Sequence, residues 1–560
     1  MDRITRICSV SLGLALLASS GAEAKRVTTV DSPSLLQAYA RARLAGADGA
    51  LDAASRAYST VLAARPDDAA IAARAYRQAI IAGDFPLALK AAAALDKAGA
   101  LPADGQLLYL SQALKEKDWP AANAALVALG KDGSFDFLIP VLRAWVAQAS
   151  GQGDPFAILD APTGSALTSA LGSEQRALLL IASGRLNEAA TVAQAQALAS
   201  GGGSAALKLT AASALQAAGR RDAALMLLRG DEAEITAARA LVQAGKPLTV
   251  GSLDAAGGVA SLLVRVGEAI QSDPRSPVGL TLARLAHYLD PSNDGATVML
   301  ARLLANVGQS DRGLELAGTV GAGSPYAGAA IDTRVGILTA LDRREDALAL
   351  ARAKSDSSTA TLADMVRVGD LLEALDRHAE AAQAYDRAIA VAEKTPDMAD
   401  KLWSLWLLRG SALDQGGNWA EAKPALEKAV KLAPLQPVAL NYLGYAQLER
   451  RENVKAALAL IERASQLKPD DPAITDSLGW AHYLVGDVAK AIPALEKAVR
   501  GQPEDATLNE HLGDAYWAAG RKYEARYAWN AAAVLADNAD VAARARAKAE
   551  DGFSPALAAR

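Results

Sequence analysis

Cysteine is almost absent from this chain: one residue, Cys8, in 560. It sits in the first apolar stretch, so a chain shortened by that stretch would have no thiol. That excludes a disulfide framework, a thiolate metal site and a cysteine nucleophile. Histidine is nearly as scarce. The four, His287, His378, His482 and His511, include no pair at the i, i+4 spacing that sets two zinc ligands on one helical face. No metal and no cofactor is therefore expected. Aromatic residues make up only 5% and no run shows the alternation of a half-buried strand, which argues against a sheet. A basic surplus is missing too. With 58 Lys+Arg against 63 Asp+Glu the formal net charge is -5, so no nucleic-acid partner is expected. Beyond the first residues no apolar run is long enough to cross a bilayer, and no integral membrane span is expected.

What is present begins with Met1 to Ala24. Arg3 and Arg6 precede an apolar stretch from Ile7 to Ala18, and Ala22-Glu23-Ala24 is a small-x-small cleavage pattern. Residues 1–24 read as a secretory signal peptide, followed by a short linker over 25–34, with Lys25 as the expected new N-terminus. Thr5-Arg6-Ile7 before Cys8 lacks the small apolar residues of a lipoprotein processing site. The expectation is a periplasmic protein, not lipid-anchored. A buried first helix is the competing reading, and the basic front and the Ala-x-Ala end fit it less well.

Ala, Leu, Glu, Lys and Arg recur throughout, interrupted by Gly and Pro at turn-like positions, which favours helices. The clearest order lies near the C-terminus. Leu443-Gly444, Leu478-Gly479 and Leu512-Gly513 repeat about every 34 residues, with Ala446, Ala481 and Ala515 in the same frame. Gly486 and Gly520 follow at a turn. Ala457, Ala491 and Ala525, then Ala464, Ala498 and Ala532, mark a second helix, which Pro469 and Pro503 close. Each residue type has a task in such a helix pair. Glycine and alanine let two helices approach, leucines at helical spacing fill the space between pairs, and proline stops the second helix. Asp471-Pro472 supplies a capping oxygen and a first helical residue for the next pair.

The pattern continues outward. Trp406, Gly410, Gly417, Trp419, Ala422, Ala429 and Pro434 make another unit, and Gly369, Ala381 and Ala388 a further one. The longer gap between these two predicts extra helical turns around Glu393 to Lys401. Upstream the marks thin but persist, from Gly49, Ala54 and Pro66 to Gly308 and Gly313. This predicts divergent helical repeats over 35–259, a middle group over 260–361, well-formed repeats over 362–539 and a capping helix with tail over 540–560. Gly151 to Ser169 and Gly230 to Val259 resist the frame and are expected as loops or hinges. Gly201 to Ser204 is expected as a connector rather than a phosphate loop, because no Gly-Lys-Ser follows.

No catalytic constellation emerges. Ser477 and His482 fall on different faces of one helix, and the carboxylates form no pair that sequence alone can single out. The candidate site is a stripe offset from the packing Leu-Gly positions. It comprises Asn441, Tyr445 and Leu448; Asp476, Trp480 and Tyr483; and Glu510, Asp514 and Trp517, each trio spaced i, i+4, i+7. Rings among carboxylates and an amide suit a peptide, with the rings burying area and the polar groups meeting its backbone. Packing of Tyr483 and Trp517 on the neighbouring helix is the alternative.

These motifs resemble exported bacterial tetratricopeptide-repeat (TPR) proteins, most strongly from about Gly369 to Leu535. The resemblance implies an all-α TPR superhelical solenoid of antiparallel helix pairs without catalysis of its own, a scaffold or adaptor of the cell envelope that binds proteins or peptides on its concave wall. Some relatives dock carboxyl-terminal processing proteases and present substrates to them; others are scaffolds for polysaccharide export or envelope assembly. An enzyme such as a cell-wall hydrolase would need a catalytic domain that the repeats leave no room for. The Lys and Asn clamp with which some TPR proteins hold a terminal carboxylate is replaced here by Asp476, Glu510 and Asp514.

Overall fold

A computed structural model describes residues 33–162, 165–199, 205–270, 277–357 and 360–554. The signal peptide, most of the linker and the Gly201–Ser204 connector lie outside the described residues. Among those described there are thirty α-helices and no strand. The chain divides into two compact units, one up to Tyr109 and one from Leu110.

The first unit holds α1 (Pro33–Ala47), α2 (Leu51–Ala64), α3 (Ala69–Ala82), α4 (Phe85–Lys97) and the start of α5 (Ala103–Glu116). Asp68 and Asp84 cap α3 and α4 by accepting backbone N–H bonds from the first turns. In the second unit follow α6 (Trp119–Asp132), α7 (Ile139–Ser150), α8 (Pro155–Asp160), α9 (Ala166–Ala182), α10 (Leu186–Ala199), α11 (Ala205–Ala217), α12 (Arg221–Leu227), α13 (Ala233–Gln243), α14 (Ala255–Ile270), α15 (Pro277–Leu289), α16 (Asp294–Asn306), α17 (Ser310–Gly318), α18 (Ala327–Ala340) and α19 (Arg344–Ser355). The C-terminal series is α20 (Leu362–Glu373), α21 (His378–Ala392), α22 (Leu402–Gln415), α23 (Trp419–Leu432), α24 (Pro437–Glu449), α25 (Val454–Leu467), α26 (Pro472–Leu484), α27 (Val488–Gly501), α28 (Ala506–Ala518), α29 (Lys522–Leu535) and α30 (Ala539–Asp551).

Within the C-terminal series each first helix lies against its second helix at the predicted glycine. A Cβ added to Gly479 would stand 2.6 Å from Leu495 Cγ, and one added to Gly444 2.8 Å from the Ala457 carbonyl oxygen. The glycine is thus a distance requirement. Leu426, Ile461 and Leu495 fill the space it leaves and are fully buried, each worth about 1.5–3 kcal/mol of burial. Asp471 caps α26 by accepting from Ile474 N, with Pro472 in the first turn, as the sequence predicts.

Three expectations change. The turns expected around Glu393 to Lys401 are a 3-10 segment, Pro396–Lys401, separated from α21 by Glu393, Lys394 and Thr395. The boundary placed at 259/260 falls inside α14. The two frame-resistant stretches are each partly helical, containing α8, α13 and the starts of α9 and α14; their longest irregular part is 244–254. That segment is tied rather than hinged. Gln216 Oε1 accepts from Leu248 N at 2.9 Å, Gln216 Nε2 donates to Lys246 O at 2.7 Å, and Ser252 N donates to Asp290 Oδ2 at 2.7 Å. The reason for the lost frame is tertiary. Trp145 of α7 donates to Gln175 of α9 at 2.8 Å and lies against Gly258 of α14, where an added Cβ would meet its ring at 2.2 Å. Residues 151–254 are therefore an excursion whose two ends return to the same place.

Candidate binding row in the C-terminal series

The nine stripe residues lie on the first helices α24, α26 and α28, which follow one another side by side. Asn441 and Tyr445 are half-buried and Leu448 is buried. Asp476 and Trp480 are 5% and 3% exposed, while Tyr483 is half-buried. Glu510 and Asp514 are 1% exposed, and Trp517 is half-buried. The open wall expected at Asp476, Trp480, Glu510 and Asp514 is therefore corrected: these four are interior. Consecutive first helices pack side by side, so each helix covers the row of the one before it.

The result is a polar ladder. Asn441 Nδ2 donates to Ser477 Oγ at 3.1 Å. Asp476 Oδ2 and His511 Nδ1 are 2.8 Å apart, the His511 ring stacks on Trp480 at 4.0 Å, and Tyr483 stacks on Trp480 at 4.8 Å. Glu510 receives two bonds from Arg544, at 2.8 and 2.7 Å, and one from Lys548 at 2.8 Å. Asp514 receives Lys548 on both oxygens at 2.8 Å and the Trp529 indole N–H at 2.8 Å. Every carboxylate of the row is met by a basic group from the following first helix, Asp514 also by Trp529 of its own pair.

The charges follow from this pairing. Burial alone would lower the His511 pKa, but Asp476 beside it, with Asp514 and Glu510 beyond, carries it above its ordinary value. Burial also dominates at Asp514 and raises it, against the pull of Lys548 and Trp529. At Glu510 burial is outweighed by Arg544 and Lys548, and the carboxyl titrates below its usual range. The Tyr483 phenol is pushed up to about 12 by burial and then by Asp514.

Three atoms of the row stay outside the ladder. Asn441 Oδ1, Asp476 Oδ1 and Trp480 Nε1 are buried without a hydrogen-bond partner among the described residues. Two accept and one donates. A buried polar atom without a partner costs about 1–3 kcal/mol, so this is where the row favours an incoming polar group. His511, Trp529, Arg544 and Lys548 were missed by the reading of the sequence. For Arg544 and Lys548 the signal was the period itself, since 34 residues added to Glu510 and Asp514 arrive at them.

Residues 407–472 and 477–547 match the tetratricopeptide-repeat family pattern. Over those residues the series is built of TPR repeats. Among curated proteins, the TPR repeat-containing protein PA4667 of Pseudomonas aeruginosa is 28% identical over 198 residues, 35% of this chain and 32% of that protein. The chain thus matches about a third of the length of that relative. Among solved structures, TTC0263, a thermophilic TPR protein of Thermus thermophilus, is 20% identical and covers 33% of this chain and 98% of its own, with a TM-score of 0.29. YrrB, described as a TPR protein with an unusual peptide-binding site, is 17% identical over 35% of this chain and 97% of its own, TM-score 0.26. Cut9–Hcn1 of the APC/C is 14% identical over 93% and 96%, TM-score 0.35.

Proposed function

We propose that this protein is an exported, non-enzymatic scaffold of the bacterial cell envelope whose TPR series holds partner proteins or peptides through the row on α24 and α26. TPR repeats are protein-interaction modules, and stacked repeats present extended surfaces suited to long partners. The observation that carries the reading is the set of unpartnered atoms Asn441 Oδ1, Asp476 Oδ1 and Trp480 Nε1. Two acceptors and a donor match the N–H and C=O groups of a main chain, which the half-buried Tyr483 ring, stacked on Trp480, must turn aside to admit.

The test compares wild type with a Trp480→Phe, Asn441→Ala variant. Phenylalanine keeps an aromatic face toward Tyr483 and His511 and removes the N–H donor together with the five-membered ring that carries it. Cross-linking in envelope extract, followed by titration of the retained partner, should show binding about tenfold weaker in the variant. Equal affinity would remove the row from consideration. Export is tested separately, because mass spectrometry of the mature protein should find Lys25 at its N-terminus, whereas a cellular pool that keeps Met1 would refute it.

A further inference from the structure

The end of the TPR series is closed differently from its interior. In α24, α26 and α28 the packing position carries Leu443, Leu478 and Leu512, whereas the same position of α30 carries Arg546, which is exposed. The helix offers its neighbours only Ala542, Ala545 and Ala549 as small buried residues, together with Arg544 and Lys548. Phe553, just past the helix, adds a contact in the cluster of Trp517 and Trp529. No second helix follows α30 among the described residues.

α30 is held both by apolar packing, with Ala545 in one cluster with Ala532 and Ala533 and Ala549 in another with Ala525 and Trp529, and by charge. Lys548 is 0% exposed and stands 2.8 Å from both Glu510 and Asp514, while Arg544 grips Glu510 with two bonds. Desolvation of such groups roughly cancels their attraction, so a buried ion network adds little net stability while demanding that each charge be met. It follows that the face beneath α30, two carboxylates beside Trp517 and Trp529, must take a cationic replacement when α30 leaves.

We propose that this acidic-aromatic end face is a docking site for a basic amphipathic helix of a partner protein, one that presents Arg or Lys at i, i+4 between small residues, and that α30 is its resident intramolecular occupant. The site differs from the row on α24 and α26, so its failure would leave the function proposed above untouched.

The experiment uses the full chain carrying Arg544→Glu and Lys548→Glu, which sets acids against Glu510 and Asp514 and releases α30. Hydrogen exchange should show 539–551 unprotected while α26–α29 keep wild-type protection. Two labelled peptides serve as probes: residues 537–554 of this chain, and an unrelated Ala/Gln helix with Arg and Lys at i, i+4. Both should bind the released variant at least tenfold more tightly than wild type, and adding Glu510→Lys should abolish binding. Loss of protection through α29 would make α30 an integral part of the fold and overturn the proposal. So would equal binding to wild type, or binding of the native peptide alone, which would make the face a seat for α30 only. Sedimentation of the released variant mixed with wild type should show monomers; a dimer would assign the face to a second copy instead.

Discussion

At the scale of single residues, spacing decides more than chemistry. Gly479 stands where a Cβ would press on Leu495 Cγ at 2.6 Å and on its backbone nitrogen at 3.0 Å. Backbone cannot retreat as a side-chain tip does, so Gly479→Ala should lower unfolding stability by about 1–3 kcal/mol, read by urea denaturation. His511 sets a pH dependence. Its folded pKa lies above the unfolded value near 6.5, so the stability from its pairing with Asp476 is fully present below that value and fades as pH rises through the folded pKa. Stability of wild type relative to His511→Gln should accordingly fall from mildly acidic to alkaline pH; a difference that stays constant would mean that the ring contributes by stacking alone. The glycines were legible in the sequence because each repeats at one period. The His511 pairing was not, because its partner Asp476 lies 35 residues away and only adjacent packing of two first helices joins them.

At the scale of elements, the helices and caps were mostly visible and the covered faces were not. Asp471-Pro472 announced the start of α26, and Asp471→Ala should cost about 1 kcal/mol with little change elsewhere in the exchange profile. The polar run from 540 announced a capping helix, yet its most polar-looking member, Lys548, is fully buried. Lys548→Ala leaves Glu510 and Asp514 short of a cation, and should destabilise the end of the series by about 3–5 kcal/mol; hydrogen exchange should localise that loss to α28–α30. A stripe at i, i+4, i+7 tells which residues share a face. It does not tell whether that face meets solvent or the next helix, and for Asp476, Trp480, Glu510 and Asp514 the next helix lay over it.

For the molecule as a whole, nearest-neighbour stacking accounts for the C-terminal series but not for the stretch from α7 to α14. Trp145, fully buried, joins α7, α9 and α14 across more than a hundred residues of chain. Trp145→Ala should cost about 3–5 kcal/mol and, in exchange measurements, loosen α7, α9 and α14 together while sparing α24–α29. Loosening confined to α7 would instead make the region a simple stack.

The sequence by itself determined the helical class, the pairing of helices at a 34-residue period, their caps and turns, and the residues that share each face. All of these depend on residues close along the chain or repeated at one interval, and so leave a periodic trace. Only the tertiary structure decided the return of 151–254 to Trp145, the burial of the acidic row, and the three polar atoms left without partners. Each of those depends on which helix covers which face, and that is settled by packing between segments whose separation follows no period.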